Sequence, residues 1–343
     1  MDLAQLAEQG QWKLVETEKR GKVFLIAINR PANRNAVDHE TGEQLCNAFG
    51  DFESDDEASV AVFYGKHGNF CAGYDLKELA SMDPSTLKHS SVNYAPMGPS
   101  KTVFSKPVIA AISGYAVAGG LELALMCDMR VAEEDAIMGV FCRRFGVPLI
   151  DGGTVRLPYL VGLSRALDLI LTGRPVLADE ALSMGLVNRV VPVGDGVKSA
   201  VELANQIASF PRECMLADRK SSMYAAYDAK SWQDAMRFEH ENGNVEAFSF
   251  DEQVVHILYY NEAIMMTMMM QRMKTVAVKM LFQGNQLMVL ERLQKVLGEK
   301  DPSQIGNQSF DIQVYYQTFF TYANGGSIFT SLYLINQSIN LIM

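Results

Sequence analysis

The sequence predicts an α/β protein, because stretches typical of buried strands alternate with stretches typical of helices along most of the chain. The strand candidates are short runs of β-branched and aromatic residues that end in loop-forming residues, such as "KVFLIAIN" before "RPANRNA". Several helix candidates carry apolar residues at helical spacing, and two of them end on glycine (Gly173 and Gly185), as helix C-termini often do. With 48% hydrophobic residues, the chain has ample material for a core.

The predicted elements follow each other in a regular order. Strands are predicted at 22–29, 59–66, 107–114 and 129–136. Helices are predicted at 39–55, from near Leu76, and at 119–127, 164–173, 178–185 and 197–210. Three prolines and a glycine predict a long, mobile loop at 82–102, and the acidic run "EED" at 133–135 predicts a solvated turn.

Composition excludes several classes of function. The net charge of −10 argues against nucleic acid or an anionic membrane as the main partner. The five cysteines lack regular spacing and the five histidines are scattered, so we expect neither a disulfide framework nor a metal site. No apolar run approaches the roughly 18 residues of a membrane span. The first 25 residues show no targeting signal, so we expect a cytoplasmic protein.

The composition changes after residue 250. The stretch "AIMMTMMMQRM" holds six methionines in eleven residues, and residues 310–343 carry almost no charge. A β-hairpin around Asn324-Gly325-Gly326 is one structure that this last stretch could form. We therefore expect residues 251–343 to be a separate C-terminal segment, to which the sequence assigns no role.

Two glycine-bearing stretches, "FCAGYDL" and "SGYAVAGGLELAL", each follow a predicted strand and lead into a predicted helix. Glycine lets the backbone approach a ligand closely, and two converging N–H groups would form an oxyanion hole. Ordinary turn glycines are the alternative. The spacing fits neither the dinucleotide-binding nor the P-loop pattern.

Three side chains could carry a reaction, and each has a structural alternative. Glu122, in the first turn of an apolar helix, either complements the helix dipole or acts as a general acid/base whose pKa is raised by burial. Asp151, before two glycines, is either a helix N-cap or catalytic. Cys142 is either a thiol whose pKa is lowered by Arg143 and Arg144 or a small core residue.

Five stretches succeed each other in the order and spacing of one known family. They are "INRPANRNAV", "FCAGYDLKEL", "KPVIAAISGYAVAGGLELALMCDMRVA", "FGVPLIDGGTVRLPYLVG" and "LTGRPVLADEALSMGLVNRVV". Together they resemble the crotonase (enoyl-CoA hydratase/isomerase) superfamily over roughly residues 12–248. The resemblance implies a crotonase-like spiral of β-β-α units, with two roughly perpendicular sheets surrounded by helices. It makes residues 1–250 the acyl-CoA-binding catalytic domain and implies a homotrimer or hexamer.

The resemblance also implies a substrate and a site. An acyl-CoA thioester would be bound through two backbone N–H groups, which by motif position are those of Tyr74 and Gly119. The residues that match the family's CoA-binding wall are Arg34, Ala36, Ala72, Asp75 and Leu76. No cofactor is implied other than coenzyme A as part of the substrate.

The implied reaction depends on which carboxylates are present. Family hydratases use two glutamates; the first matches Glu122, whereas Cys142 occupies the place of the second and would line the substrate site. Asp151 matches a catalytic aspartate of dienoyl-CoA isomerases. An enoyl-CoA hydratase/isomerase-type enzyme (a lyase or isomerase) of fatty acid metabolism is therefore predicted, with double-bond isomerisation favoured over hydration.

Two other interpretations remain open at this point. One is a non-catalytic member of the superfamily that binds acyl-CoA or RNA, suggested by Cys142 and by the unmatched C-terminal segment. The other is that Arg143 or Arg144 turns into the acyl pocket and accepts a carboxylated acyl group.

Overall fold

The computed structural model describes residues 13–82 and 95–245, which form an α/β fold. Their strands are β1 (Val15–Arg20), β2 (Val23–Ile28), β3 (Val60–Gly65), β4 (Val108–Ile112), β5 (Tyr115–Val117), β6 (Met129–Glu133), β7 (Ile137–Gly139), β8 (Val176–Leu177) and β9 (Arg189–Val191). Their α-helices are α1 (His39–Ser54), α2 (Leu76–Ser81), α3 (Gly119–Met126), α4 (Gly153–Val161), α5 (Leu163–Thr172), α6 (Ala178–Met184), α7 (Gly196–Ala208), α8 (Arg212–Tyr227) and α9 (Trp232–Val245).

The larger sheet has the strand order β1-β2-β3-β4-β6-β9. Only the β1–β2 pair is antiparallel, and the other neighbours are parallel. All six residues of β2 are buried, because both faces of the sheet are covered. Leu25 and Val62 face the cluster that includes α7, whereas Ile26 and Phe63 face the main core. This explains why the central strands are continuous apolar runs rather than alternating ones.

The smaller sheet, in the order β5-β7-β8, brings two loops together. Cys71 forms an isolated parallel bridge with Ala116 of β5, which places the loop before α2 beside the start of α3. Between β5 and α3, Ala118 adopts a left-handed φ of 53°, and its N–H donates to Gly139 of β7. The turn into α3 is therefore fixed by the small sheet.

The predicted α/β class is confirmed, and the predicted strands and helices are all present within a few residues of their expected ends. Both predicted glycine ends are confirmed, since Gly173 (φ 59°) and Gly185 (φ 80°) terminate α5 and α6 in the left-handed conformation. The sequence did not predict β1, which is mostly exposed and charged, or β5, β7, β8 and β9, which span only two or three residues. It also missed α8 and α9, which bury few residues.

One local expectation is wrong, and another falls largely outside the described residues. In the loop predicted at 82–102, residues 83–94 lie outside the described part of the chain, but Pro99–Lys101 form a 3₁₀ turn that buries Ser100. Within the predicted solvated turn, Glu134 and Asp135 are exposed as expected. Glu133 is buried instead, because its Oε1 accepts a hydrogen bond from Gly196 N at the start of α7 (3.0 Å).

The predicted methionine-rich segment and hairpin, within residues 251–343, lie outside the described residues. The division of the chain at residue 250 stays a prediction. Among the residues that the structure does describe, no helix has the length and apolar character needed to cross a membrane.

Candidate active site

Glu122 lies in the first turn of α3, a helix in which every residue is buried, and is itself only 3% exposed. Its Oε1 accepts hydrogen bonds from the N–H groups of Asp151 (2.9 Å) and Gly153 (2.8 Å). Burial raises the pKa of the carboxyl to about 7; the charge of Asp151 adds to this rise, while the two backbone donors and Arg156 oppose it. A carboxyl with this pKa can both take up and release a proton near neutral pH.

Asp151 is equally buried, at 3% exposure, just before α4. Its Oδ1 accepts hydrogen bonds from Ser100 Oγ (2.5 Å) and Met97 N (3.2 Å). Burial raises the pKa of this carboxyl, and the donors from Ser100 and Met97 act against the rise. The N-cap interpretation is wrong: Gly152, with a φ of 99°, precedes α4, and no side chain caps the helix.

Arg156 is a cation that acts on both carboxyls, whereas Lys101 lowers the pKa of Asp151. Its Nη1 donates to the carbonyl oxygen of Asp151 (3.1 Å), and its charge lowers the pKa of Glu122 and of Asp151. A Cβ on Gly152 would lie 2.2 Å from that Nη1, so this position has no room for a side chain unless Arg156 moves. The observed position of the Arg156 side chain therefore requires glycine at position 152.

The two carboxylates share one pattern of hydrogen bonding. In each, one oxygen accepts two donors, whereas the other (Glu122 Oε2 and Asp151 Oδ2) accepts no hydrogen bond from residues 13–82 or 95–245. The donors hold each group in a fixed orientation, and the second oxygen keeps its capacity to exchange a proton with another molecule.

The predicted oxyanion-hole residues, Tyr74 and Gly119, lie on adjacent backbone segments. Tyr74 forms a parallel bridge with Val37, and Gly73 approaches α3 so closely that a Cβ on it would be 3.3 Å from Gly119 N. A Cβ on Gly119 would lie 2.5 Å from Met97 Sδ. Close backbone approach and a φ of 99° favour glycine at position 73, whereas a side chain at position 119 would displace Met97. The oxyanion-hole assignment itself stays a prediction.

Three of the predicted CoA-wall residues lie near one another. Arg34 is exposed, its guanidinium lies 5.4 Å from the centre of the Tyr115 ring, and its carbonyl oxygen accepts from Ala72 N (3.1 Å). Ala36 is buried two residues further on. A backbone hydrogen bond therefore joins the two segments that carry these residues.

The other two CoA-wall residues differ from each other. Leu76 is 45% exposed at the start of α2. The carboxylate of Asp75 caps that helix by accepting from Lys77 N (3.0 Å), and it also pairs with Arg30 (3.2 Å). Its side chain therefore serves the fold, and a CoA-binding role for it stays a prediction.

Cys142 lies in the 3₁₀ helix Phe141–Phe145 and belongs to the main core. The interpretation as a small core residue is confirmed. The alternative, a thiol whose pKa is lowered overall by the two following arginines, is wrong: Arg143 does lower the pKa, but burial, the largest effect, and the charge of Glu122 leave it raised. Arg143 and Arg144 instead donate to the carbonyl oxygens of Ile170 and Gly173 at the end of α5, so they turn away from an acyl-pocket role.

Sequence reasoning missed four residues of this site. Ser100 and Met97 lie in a Pro/Gly-rich stretch without periodicity, which gave no signal of burial. Arg30 holds Asp38 and Asp75 together, and Arg156 contacts Asp151. Of these four residues, only Arg156 could have been found from the sequence. It follows Asp151 closely in the chain, and a buried carboxylate is expected to have a basic residue nearby. Among the residues that the structure describes, no three His, Cys, Asp or Glu side chains are grouped to hold a metal ion.

Comparison with known proteins identifies the family. The family profile described as enoyl-CoA hydratase/isomerase matches residues 18–258. A probable mitochondrial enoyl-CoA hydratase of Dictyostelium discoideum is 37% identical over 224 residues, which is 65% of this chain and 79% of that protein. A short-chain-enoyl-CoA hydratase of Clostridium acetobutylicum is 37% identical over 193 residues, or 56% of this chain and 74% of that protein.

The fold agrees with this assignment. The crystal structure of enoyl-CoA hydratase from Mycobacterium tuberculosis H37Rv matches with a TM-score of 0.66 and 30% identity, over 73% of this chain and 96% of that chain. The predicted crotonase-type fold is thereby confirmed. The chain belongs to the enoyl-CoA hydratase/isomerase (crotonase) family of enzymes.

Proposed function

We propose that the protein moves the double bond of an enoyl-CoA thioester, with Glu122 and Asp151 as the two proton-transferring groups. One observation carries this proposal: two buried acidic residues adjoin, since the backbone N–H of Asp151 donates to Glu122 Oε1 (2.9 Å) and the charge of Asp151 raises the pKa of Glu122. Burial raises the pKa of both groups. An isomerisation requires one group that removes a proton and another that returns one, and two buried carboxyls with raised pKa values supply both.

The proposed reaction has two proton transfers and no net change in composition. One carboxylate removes a proton from a carbon of the acyl chain, and the electron pair moves onto the thioester oxygen. The N–H groups of Tyr74 and Gly119 would stabilise the resulting enolate. The second carboxyl then returns a proton at a carbon further along the chain. In the reverse direction the two carboxyls exchange roles.

Hydration is the less favoured reaction because of Cys142. A hydratase of this family places two glutamates around the attacking water, and the second place here holds a thiol. Burial raises the pKa of that thiol, so it stays neutral and cannot deprotonate water as a carboxylate does. Glu122 would be left to perform the addition alone.

Coenzyme A would enter only as part of the substrate. Arg34 is the exposed cation of the proposed wall and would offset the protein's net charge of −10 where the CoA phosphates bind. Ala36, Ala72 and Leu76 would line the same wall with apolar surface. No cofactor takes part in the proposed proton transfers.

We also propose that the chain assembles as a homotrimer or hexamer. On α5, Leu163, Leu167 and Leu171 recur at every fourth position and are 64%, 41% and 67% exposed, and Tyr159 of α4 is also exposed. A contiguous apolar stripe of this kind is typical of a surface that another subunit covers. The mass of the full-length chain in solution tests this; a monomeric mass would contradict it.

The deciding experiment for the function compares substrates. Purified full-length protein is incubated with a 2-trans-enoyl-CoA and with 3-enoyl- or dienoyl-CoA, and the products are separated. We expect isomerisation to exceed hydration, and Asp151→Asn to reduce isomerisation by about 10²-fold because it removes one proton carrier. Asp135→Asn, at an exposed position, is the matched control.

Two outcomes would overturn the proposal. Robust hydration that Glu122→Gln abolishes and Asp151→Asn leaves intact would make the protein a hydratase. Binding of CoA thioesters without turnover of any enoyl substrate would favour the non-catalytic alternative.

A further inference from the structure

A short segment, Met97–Lys101, contacts both halves of the candidate site. It contains the 3₁₀ turn Pro99–Lys101, and within it Met97 and Ser100 are 1% and 0% exposed. No motif of the family resemblance includes this segment. The family motifs therefore do not explain why Met97 and Ser100 are buried.

Ser100 provides one contact. Its hydroxyl donates to Asp151 Oδ1 over 2.5 Å, across 51 positions of sequence. Ser100 is fully buried, so water cannot replace it as a donor without rearrangement of the segment. The bond is to a carboxylate, and hydrogen bonds to charged groups are the stronger class.

Met97 provides the other contacts. Its N–H donates to the same Oδ1 (3.2 Å), and its side chain packs on Gly119, where a Cβ would lie 2.5 Å from Sδ. One residue thus touches both Asp151 and the position of a proposed oxyanion donor. The segment sets the distance between these two parts of the site.

We propose that Ser100 is a positioning residue for Asp151: with Met97 N it holds Oδ1, so that Oδ2 is turned toward an acyl chain whose thioester oxygen lies at Gly119. This inference rests on the proposed function only for the role of the acyl chain. The positioning of the carboxylate follows from the contacts alone. Ser100 itself would not touch the substrate.

The hydroxyl also affects the charge of Asp151. Donation to Oδ1 favours the carboxylate over the neutral acid. The other charged groups that face Asp151 are Glu122 from α3, Lys101 from the same segment and Arg156 from α4. Each of these remains when Ser100 is replaced by alanine, so the substitution isolates the hydroxyl.

The first test needs no catalysis. The protonation of Asp151 in full-length protein is followed by infrared difference spectroscopy as the pH is varied, and its carboxyl band is identified by its loss in Asp151→Asn. We expect Ser100→Ala to raise the midpoint by about one pH unit. Ser100→Cys, a weaker donor of similar size, should give an intermediate midpoint. Ser105→Ala, an exposed serine in the next loop, should leave it unchanged.

The second test uses a double-mutant cycle on the isomerisation rate. Ser100→Ala should lower kcat by about tenfold with KM within about twofold, since it misplaces a proton carrier without removing a binding contact. In the Asp151→Asn background the same substitution should have no further effect. An equal loss in both backgrounds would show that Ser100 acts through the fold and not through Asp151.

The two tests separate this inference from the proposed function. An unshifted Asp151 midpoint in both Ser100→Ala and Ser100→Cys overturns the positioning role, whatever the enzyme's reaction. Full isomerase activity in Asp151→Asn overturns the proposed function, while a shifted midpoint in Ser100→Ala would still support the positioning role.

Discussion

Glu122 and Asp151 are buried to the same extent but are held by different kinds of donor. Glu122 receives two backbone N–H groups, from Asp151 before α4 and from Gly153 at its first position, whereas Asp151 receives one backbone N–H and one serine hydroxyl from the Met97–Lys101 segment. Backbone donors are supplied by the path of the chain and survive most substitutions. A side-chain donor can be changed by a single mutation. The two carboxyls therefore differ in how easily evolution or experiment can adjust them.

The difference also determines which changes affect one carboxyl and which affect both. The N–H of Asp151 is one of the donors to Glu122, so a shift in the backbone at residue 151 disturbs both groups. A change in the side chain of Ser100 removes a donor from Asp151 alone and reaches Glu122 only through the charge of Asp151. Substitutions at Glu122, at Arg156 and at Ser100 can thus separate what the two carboxyls share from what they do not.

The largest expected effect is the loss of turnover in Glu122→Gln. The amide keeps an oxygen that accepts from Asp151 N and Gly153 N, so the local geometry should persist while the proton carrier is lost. We expect kcat/KM for every enoyl-CoA substrate to fall by about 10³-fold. Steady-state kinetics of this variant and of Glu134→Gln, an exposed glutamate, provide the measurement and its control. A loss confined to one substrate would mean that the carboxyls act independently.

A second expected effect of Glu122→Gln is on stability. Between pH 4.5 and 7 the folded protein retains a proton on Glu122 that the unfolded chain releases, so the wild-type free energy of unfolding falls as the pH rises. The glutamine variant lacks this loss. At pH 7.5 it should be more stable than wild type by about 2–3 kcal/mol, and the difference should vanish near pH 4. Urea unfolding at the two pH values measures it; a constant difference would contradict the raised pKa.

The smallest expected effect comes from Arg156, which lowers the pKa of both carboxyls. Arg156→Gln should raise both values and move the acid limb of the rate profile to higher pH by less than about one unit. Arg156→Lys keeps the charge and should move it less. Arg165→Gln, at an exposed position of α5, is the control. A shift of equal size in the lysine variant would assign the effect to hydrogen bonding rather than charge.

Two aspartates show how far sequence reasoning reaches. Asp75 and Asp151 each precede a helix start, but the sequence predicts Asp75 as a CoA-wall residue and offers an N-cap only for Asp151. Asp75 does cap α2, but Asp151 does not cap α4, because Gly152 takes a left-handed conformation and the aspartate side chain turns to Ser100 instead. The difference depends on a residue 51 positions away, which no local pattern encodes.

The sequence by itself determined the α/β class, the central strands of the larger sheet, most of the α-helices and the family, and it predicted Glu122 and Asp151 as site residues. Periodicity, glycine positions and ordered motifs are local properties that a single chain displays. Only the tertiary structure decided that the backbone of Asp151 contacts the Glu122 carboxylate, that Ser100, Met97 and Arg156 hold Asp151, that Asp75 caps α2 and pairs with Arg30, and that Glu133 is buried. Each of these features depends on contacts between segments that are distant in the sequence. Burial and the hydrogen-bond donors from those segments determine the free energy of ionising each carboxyl.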